Sequence, residues 1–258
     1  MAHTVAIANQ KGGVGKTTTA ISVSAAVAVA EKRALVVDMD PQANLTSGLG
    51  TEPAASRPTV YRGLIQGTPA QEIIRDTQLD RLKLMPSERN LTGAEIELVD
   101  QPRREYRLKE LLAPIAPAFD YVFIDCPPSL GLLTLNALVA ADAVLIPLQC
   151  EFFALTGVTE LLSTVERVRS AFNPELRIEG IVFTMVDERT NLTNQVMEDV
   201  RDNFPGVVFT TVIPRNIRLA EAPSFGKPIL LYDIRSKGAE AYLSLTREIL
   251  SHEAQSVG

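Results

Sequence analysis

A glycine-rich stretch near the start of the chain, NQKGGVGKTTTA at residues 9–20, contains the residue types that bind the phosphates of a nucleotide. Glycines let the backbone approach phosphate oxygens closely, a lysine reaches the β- and γ-phosphates, and a hydroxyl side chain holds Mg²⁺. Gly15, Lys16 and Thr17 match the end of the pattern G-x-x-x-x-G-K-[ST], but the first glycine of that pattern is missing. The stretch therefore predicts a variant phosphate-binding loop that carries a second lysine, Lys11.

The context of this loop supports a nucleotide site, because a predicted strand at Thr4–Ala8 precedes it and a predicted helix follows from Thr17. We expect the loop backbone to wrap the phosphates, Lys16 to act on the β/γ-phosphates during catalysis, and Thr17 to hold Mg²⁺. Thr18 is expected to donate to the α-phosphate. The nucleotide-binding residues predicted from this pattern are Gly12, Gly13, Val14, Gly15, Lys16, Thr17 and Thr18.

Two further predicted strands end in aspartates, Asp38 and Asp40 in VVDMDPQ and Asp125 in FIDCPPS. These positions lie at the carboxyl edge of the sheet, where open α/β sheets bind ligands. An aspartate after apolar strand residues is typical of a Walker-B carboxylate, so Asp125 is the predicted Mg²⁺ ligand. Asp40 is the better candidate to orient or deprotonate the attacking water. Asp38 could instead be the carboxylate on the metal side, and spacing alone does not separate the two.

Short apolar runs alternate with helical patterns, which predicts an α/β fold: a mostly parallel twisted sheet with helices on both faces. The predicted strands are Thr4–Ala8, Ala34–Asp38, Leu82–Met85, Tyr121–Asp125, Ala143–Leu148, Ile178–Met185 and Val207–Ile213. The predicted helices are Thr17–Val29, Glu105–Leu112, Thr134–Ala140, Gly157–Ser170, Leu192–Asn203 and Gly238–Ser251. Residues 50–80 are expected to be irregular and mostly at the surface. No linker or repeat divides the chain, so residues 1–258 are expected to form a single domain.

The composition argues against several classes of protein. The chain has 258 residues and a net charge of −6, which is unlike a uniformly basic nucleic-acid-binding surface. Two cysteines, Cys126 and Cys150, are too few for a disulfide framework and are expected to stay reduced in a cytosolic protein. The longest apolar run, Ala20–Ala30, is too short to span a membrane and predicts a buried helix, and no signal peptide is expected.

Eight stretches distributed over residues 9–242 resemble the chromosomal ParA/Soj partitioning ATPases. They are NQKGGVGKTTTA, VVDMDPQANLTSGLG, GAEIEL, DYVFIDCPPSLGLLTLNAL, IPLQCEFFAL, TMVDERTNL, VIPRNIRLAEAPSFGKPI and YDIRSKGAEAY. That family consists of P-loop NTPases with a deviant Walker A loop, in a wider group that also contains MinD and the nitrogenase iron protein. The resemblance implies an ATPase that uses ATP and Mg²⁺.

The resemblance also implies roles for individual residues. Lys11 matches a signature lysine that reaches across a dimer interface to the phosphates bound by the partner, where it would assist catalysis as an arginine finger does. Pro214 and Asn216, in the stretch IPRN, match residues that touch the adenine. Arg189 and Arg218 match arginines through which the dimeric family members bind DNA without sequence preference.

The partners implied by the resemblance are a second copy of the chain when ATP is bound, nonspecific double-stranded DNA, and a ParB/Spo0J-type centromere-binding protein that stimulates hydrolysis. A cytoplasmic, nucleoid-associated protein without membrane binding is expected, and whether it partitions a chromosome or a plasmid stays open. Residues 211–240 contain five basic and three acidic side chains, which makes a modest positive patch.

Two other members of the wider group are alternatives. A MinD-like membrane-associated positioning ATPase would end in a basic amphipathic helix, which the stretch LTREILSHEAQSVG does not resemble. A reductase like the nitrogenase iron protein would need two cysteines that bind a cluster. Cys126 directly follows the Walker-B strand, where that family has no ligand, so the sequence favours the partitioning ATPase.

Overall fold

The computed structural model describes residues 2–52, 57–187 and 189–256. The strands in these residues are β1 (His3–Ile7), β2 (Ala34–Asp38), β3 (Arg75–Asp76), β4 (Leu82–Met85), β5 (Tyr121–Asp125), β6 (Ala143–Gln149) and β7 (Arg177–Thr184). They form one sheet in the order β3-β4-β2-β5-β1-β6-β7. Neighbouring strands are parallel except for β3 and β4, so the predicted mostly parallel sheet is confirmed.

Helices follow the strands and cover both faces of this sheet. They are α1 (Lys16–Val29), α2 (Asn44–Gly48), α3 (Val60–Gln66), α4 (Ala70–Ile73), α5 (Leu91–Glu97), α6 (Arg107–Leu112), α7 (Leu132–Ala140), α8 (Ala154–Ala171), α9 (Asn191–Asn203), α10 (Ile217–Glu221), α11 (Ile229–Tyr232) and α12 (Lys237–Ser256).

The apolar side chains of the central strands alternate between two cores. Val5 and Ile7 of β1 pack in the core that contains α1 and α12, whereas Ala6 packs in the core that contains α7 and α8. Every residue of β1, β2 and β5 is buried. This pattern is expected for parallel strands covered on both faces, since successive side chains point to opposite sides.

The parallel register brings three strand ends to one place. Asp38 at the end of β2 pairs with Asp125 at the end of β5, and Ile7 at the end of β1 also pairs with Asp125. The segments that follow these strands therefore meet at the carboxyl edge of the sheet, where ligands of open α/β sheets bind.

The strand predicted at Val207–Ile213 is wrong. Only isolated bridges form there, between Val208 and Ile181 and between Pro214 and Val186. The amides of Thr210 and Thr211 instead donate to the carboxylate of Glu248 on α12, both at 2.8 Å. At these two residues a side chain replaces the neighbouring strand as hydrogen-bond acceptor, whereas the amides of Phe209 and Ile213 still donate to Ile181 and Phe183 of β7.

The irregular surface segment predicted for residues 50–80 is also wrong in part. The described residues of this segment contain α3, α4 and β3, and the side chains of Val60, Leu64 and Ile73 are fully buried or nearly so. Val60 and Leu64 have the i, i+4 spacing of one helix face, and Gly63, Gly67 and Pro69 obscure that spacing in the sequence.

An ion pair joins the starts of β2 and β5 at the opposite edge of the sheet. Arg33 donates to Asp120 through its backbone N (2.7 Å) and through Nη2 (2.8 Å). The side-chain and backbone hydrogen bonds from Arg33 lower the pKa of Asp120 to about 2.

We predict that Asp120→Asn lowers the free energy of unfolding at pH 7 by at most about 1 kcal/mol, since the ion pair is partly exposed. Because the pKa of Asp120 is lower in the folded chain than its ordinary value of 3.8, this stabilisation is complete above about pH 5 and declines as the pH falls towards 2. Urea unfolding of both proteins at pH 7 and pH 3 measures the effect. The difference in the free energy of unfolding between the two proteins should shrink by about half at pH 3. An equal difference at both pH values would contradict a stabilising ion pair between Arg33 and Asp120.

Candidate nucleotide site

The loop between β1 and α1 contains two glycines in the left-handed backbone region. Gly13 has a φ of 76° and Gly15 a φ of 88°. This conformation favours glycine, which has no Cβ to clash with the backbone. The amide of Thr19 donates to Gly15 O at 2.8 Å, so the amides from Lys16 to Thr18 come before the first intrahelical hydrogen bond of α1. Such first-turn amides attract anions. The loop therefore offers the backbone donors that a phosphate group needs.

Two contacts fix the loop from inside. Thr184, at the end of β7, donates through Oγ1 to the carbonyl of the buried Val14 at 2.8 Å. Lys16 Nζ donates to the carbonyl of Lys11 at 2.9 Å, across the turn of the loop. Burial lowers the pKa of Lys16, and the nearby charge of Asp125 opposes that shift. The ammonium group of Lys16 is thus held inside the loop and next to a carboxylate.

Thr17 and Asp125 lie in direct contact. Thr17 Oγ1 donates to Asp125 Oδ2 at 2.8 Å, and the other oxygen, Oδ1, is buried without a hydrogen-bond partner among the described residues. Burial raises the pKa of Asp125 well above its usual range, and the neighbouring Asp38 raises it further. A buried carboxylate oxygen without a partner is costly, and a cation beside the loop would satisfy it. The pair therefore fits a Mg²⁺ held by a hydroxyl, a carboxylate and phosphate oxygens.

Asp38 and Asp40, whose roles could not be distinguished from their spacing in the sequence, differ in their surroundings. Both oxygens of Asp38 accept hydrogen bonds: Oδ1 from the amide of Asp40 (3.1 Å), and Oδ2 from the amide (2.9 Å) and hydroxyl (2.6 Å) of Thr46. Burial raises the pKa of Asp38 to about 7, and the hydrogen bonds from Thr46 oppose this shift. Asp40 is 8% exposed, and its Oδ1 accepts from the amide of Gln42 at 2.9 Å. Asp40 is therefore the aspartate of this strand end that can reach solvent.

A cavity of about 380 Å³ adjoins the loop and brings the predicted base-contacting residues to it. Gly15 and Thr18 line one side, and Pro214 and Asn216 line another. Asn216 Oδ1 accepts from the amide of Arg218 at 2.8 Å, which fixes its side chain at the start of α10. A largely apolar pocket beside a phosphate loop has the position expected for a nucleobase.

Lys11 points out of the loop to the surface. Its side chain is 48% exposed and forms an ion pair with Glu151, which lies between β6 and α8 of the same chain. Exposed ion pairs of this kind contribute little to stability. The contact can therefore open at small cost.

Comparison with known proteins places the chain in a family. A family model described as "AAA domain" matches residues 2–178. The "Chromosome partitioning protein ParA" of Myxococcus xanthus is 55% identical over 249 residues, which cover 96% of this chain and 88% of that protein. The "Sporulation initiation inhibitor protein Soj" of Bacillus subtilis is 52% identical over 252 residues, 98% of this chain and 100% of that protein. The chain belongs to the ParA/Soj family of partitioning ATPases.

Solved structures agree with this assignment. The chain is similar to a Mycobacterium smegmatis protein, cobyrinic acid a,c-diamide synthase with bound ATP analogue and magnesium, at 38% identity and a TM-score of 0.87; 99% of this chain and 97% of that chain are covered. The cell division ATPase MinD of Pyrococcus furiosus is 26% identical with a TM-score of 0.82, covering 98% of this chain and 100% of that one. The family, the fold class and the ATPase class predicted from the sequence are confirmed, and the predicted ATP and Mg²⁺ agree with the ligands of the Mycobacterium smegmatis protein.

The two arginines that the ParA/Soj resemblance singles out lie at the surface in ion pairs. Arg189 is 88% exposed and contacts Asp187 through Nε (2.8 Å) and Nη2 (2.7 Å). Arg218 contacts Glu221 at 3.0 Å and Asp233 at 3.5 Å. In the described part of the chain the ion-pair partners of both arginines lie outside the phosphate loop.

The two cysteines do not offer a reactive thiolate, although Cys126 directly follows Asp125. Burial raises the pKa of both thiols, to about 11 for Cys150, so neither is a ready thiolate. The described residues hold no group of three or more His, Cys, Asp or Glu side chains that could bind a metal by themselves. Within the same residues, no helix is both long and apolar enough to cross a membrane.

Sequence reasoning missed two kinds of residue at this ParA/Soj site. Glu151, the partner of Lys11, follows the end of β6 and could have been found as an acid just past a strand end. Thr46 and Ser87 could not, because neither matches a nucleotide-binding pattern: Thr46 contacts Asp38 from a separate helix, and Ser87 contacts Thr46 and Asp40, which lie 41 and 47 residues away along the chain. Met185, which lines the cavity with a φ of 51°, gives no signal in the sequence.

We predict that Lys16→Ala weakens ATP binding by roughly 10- to 100-fold, the range expected for loss of a charge-assisted hydrogen bond. Isothermal titration calorimetry with ATP and Mg²⁺ measures the change. Lys109→Ala, at an exposed position of α6, is the control and should bind as the unmodified protein does. Equal ATP affinity in Lys16→Ala, with an unchanged far-ultraviolet circular dichroism spectrum, would contradict the phosphate-binding role of Lys16.

Proposed function

We propose that this chain acts as a single ATPase domain over residues 1–258 that partitions a chromosome or plasmid. In this proposal ATP drives two copies into a dimer, the dimer binds DNA without sequence preference, and hydrolysis releases it. One observation carries the proposal: the glycine loop, Lys16, Thr17 and Asp125 meet at one edge of the sheet, while a second lysine of the same loop faces outwards.

The proposed substrate is ATP in the loop and the adjoining cavity. The amides of the first turn of α1 and the ammonium of Lys16 would bind the phosphates, and Thr18 lies where the cavity meets the loop. Pro214 and Asn216 would contact the adenine. The pairing of an apolar cavity with a row of amide donors supports a nucleoside triphosphate over a simple anion.

Thr17 and Asp125 are the proposed Mg²⁺ ligands. Bound there together with phosphate oxygens, Mg²⁺ would neutralise charge that develops on the transferred phosphoryl group. Oδ1 of Asp125, which is buried and has no hydrogen-bond partner among the described residues, supports this assignment, because both oxygens of Asp38 accept hydrogen bonds.

Asp40 is proposed to orient the attacking water. It lies two residues beyond the strand end and is 8% exposed, whereas Asp38 and Asp125 are fully buried, and among the described residues Thr17 donates to Asp125 rather than to Asp40. A carboxylate that does not bind the metal can accept a hydrogen bond from a water molecule. This contact turns a lone pair of the water oxygen towards the γ-phosphate.

Lys11 is proposed to act in the partner's site of an ATP-bound dimer. Its position at the surface supports this role, since a lysine committed to its own nucleotide would point inwards as Lys16 does. Lys11 forms its ion pair with Glu151 of the same chain, and the next two residues are Phe152 and Phe153. These rings are 79% and 72% exposed and stack edge to face, with their centroids 5.0 Å apart. An exposed aromatic pair next to a functional charge favours a protein interface at this edge.

We predict that ATP with Mg²⁺ converts monomer to dimer and that Lys11→Ala still binds ATP but fails to dimerise. Glu151→Gln should instead tighten the dimer, because the Lys11–Glu151 ion pair no longer has to open; an exposed pair limits the gain to about fivefold per protomer. Light scattering over a range of protein concentrations, with ATP and then ADP, measures both effects. Lys109→Ala serves as the control, and ATP-dependent dimers of Lys11→Ala as tight as those of the unmodified chain would rule out the role in the partner's site.

DNA is the proposed binding partner of the dimer, through Arg189 and Arg218. Both guanidinium groups are at least half exposed, and a dimer doubles the number of phosphates that they can neutralise. The ion pairs with Asp187 and Glu221 hold the two side chains in place and cost little to rearrange at the surface.

We predict that Arg189→Glu or Arg218→Glu weakens binding to every duplex sequence about equally and lowers the slope of log K against log[salt] by about one per lost contact on each protomer. ATP-dependent dimerisation should be unchanged. Fluorescence anisotropy with short duplexes at several salt concentrations, in ATP and in ADP, measures this. Arg167→Glu, on the exposed side of α8, is the matched control. Equal DNA affinity in ATP and in ADP would contradict the proposal that only the ATP-bound dimer binds DNA.

A ParB/Spo0J-type protein is the proposed partner that accelerates hydrolysis and releases the dimer from DNA. The net charge of −6 supports docking of a basic segment of such a partner. The proposed location is the cytoplasm, at the nucleoid.

A further inference from the structure

A closed ring of hydrogen bonds joins Asp40 to three other buried residues, Asp38, Thr46 and Ser87. Asp40 N donates to Asp38 Oδ1 (3.1 Å), and Asp38 Oδ2 accepts from Thr46 Oγ1 (2.6 Å). Thr46 Oγ1 in turn accepts from Ser87 N (2.9 Å), and Ser87 Oγ donates to Asp40 O (2.8 Å). The ring therefore begins and ends on the backbone of Asp40.

The ring holds both peptide groups that flank the Cα of Asp40. Its amide belongs to the preceding peptide group and its carbonyl to the following one, so neither can rotate without breaking a hydrogen bond. The carbonyl also accepts from Ala43 N at 2.9 Å, and the carboxylate accepts from Gln42 N at 2.9 Å. The position of the Asp40 side chain is thereby set from both directions along the chain.

The four residues come from three parts of the fold. Asp38 ends β2, Thr46 is in α2, and Ser87 lies between β4 and α5. Asp38, Thr46 and Ser87 are fully buried, so water cannot replace a lost contact, and a buried polar group left without a partner is costly. The ring thus fixes Asp40 against two neighbouring segments rather than against its own loop alone.

We infer that Asp38, Thr46 and Ser87 are positioning residues for ATP hydrolysis, which hold Asp40 at the place where it orients water. This inference rests on the proposed role of Asp40. It also gives Asp38 a role distinct from metal binding, because both of its oxygens are used inside the ring.

The variant Ser87→Ala tests the inference with the smallest change. It removes the hydroxyl that contacts the Asp40 carbonyl but keeps the amide that contacts Thr46. Because small displacements of a catalytic group can reduce rates by about 100-fold, we expect kcat for ATP hydrolysis to fall at least about tenfold. The dissociation constant for ATP and the thermal midpoint should change little. Ser24→Ala is the matched control, since Ser24 is a buried serine of α1 that also donates to a backbone carbonyl, at 3.1 Å.

A second pair of variants separates positioning from general stability. Thr46→Val should lower kcat, whereas Thr46→Ser keeps the hydroxyl and should restore most of it. Combining Ser87→Ala with Asp40→Ala should cause no further loss beyond Asp40→Ala alone, because the ring acts only through Asp40. A purely structural role would instead make the two losses add.

The outcomes distinguish this inference from the proposed function. If Asp40→Ala hydrolyses ATP at the unmodified rate, the water-orienting role itself is wrong. If Asp40→Ala is inactive but Ser87→Ala and Thr46→Val keep full kcat, the positioning inference alone is overturned. Should Thr46→Val fail to fold, Ser87→Ala and its double variant still decide the question.

Discussion

The carboxyl edge of the sheet is organised around two aspartates that the register of β2 and β5 places side by side. Asp38 and Asp125 are Cα partners in adjacent strands, and both are fully buried. Burial raises the pKa of both carboxyl groups; the charge of Asp40 adds to the shift at Asp38, and the charge of Asp38 adds to the shift at Asp125. Two buried acids this close persist in a fold only where donors or cations compensate them. The surrounding structure supplies such partners.

The compensation is different for the two aspartates, and this difference divides their roles. Both oxygens of Asp38 accept hydrogen bonds from the protein itself, from the backbone amide of Asp40 and from Thr46. Asp38 therefore needs no cation to compensate its burial. Asp125 receives Thr17 on one oxygen and has Lys16 nearby, but its second oxygen has no partner in the described part of the chain. The first aspartate therefore acts as a structural anchor, and the second has the chemistry of a cation ligand.

Much of this arrangement could be predicted from the sequence. β2, β4 and β5 were predicted residue for residue, because continuous apolar runs bounded by turn residues have few other interpretations. The loop residues and Asp125 were predicted because their chemistry is local: a glycine turn, a lysine and a strand-end acid. The helices α3 and α5 were not predicted, and the strand expected at Val207–Ile213 does not form. In the segment Val207–Ile213 a contact from a distant part of the chain, Glu248 accepting from Thr210 and Thr211, interrupts the pairing that the apolar run predicts.

Burial also determines which charges of the site can move. The ring around Asp40 is closed to water, so each of its hydrogen bonds keeps its full strength and the position of the carboxylate is fixed. The Lys11–Glu151 ion pair is about half exposed on both sides, so water compensates its opening and the side chain can change partners. In the proposed function Asp40 has to hold one position, whereas Lys11 has to be free to leave its own chain and reach a second molecule. The structure provides both conditions, because the residues after β2 are buried at the sheet edge while Lys11, in the loop between β1 and α1, lies at the surface.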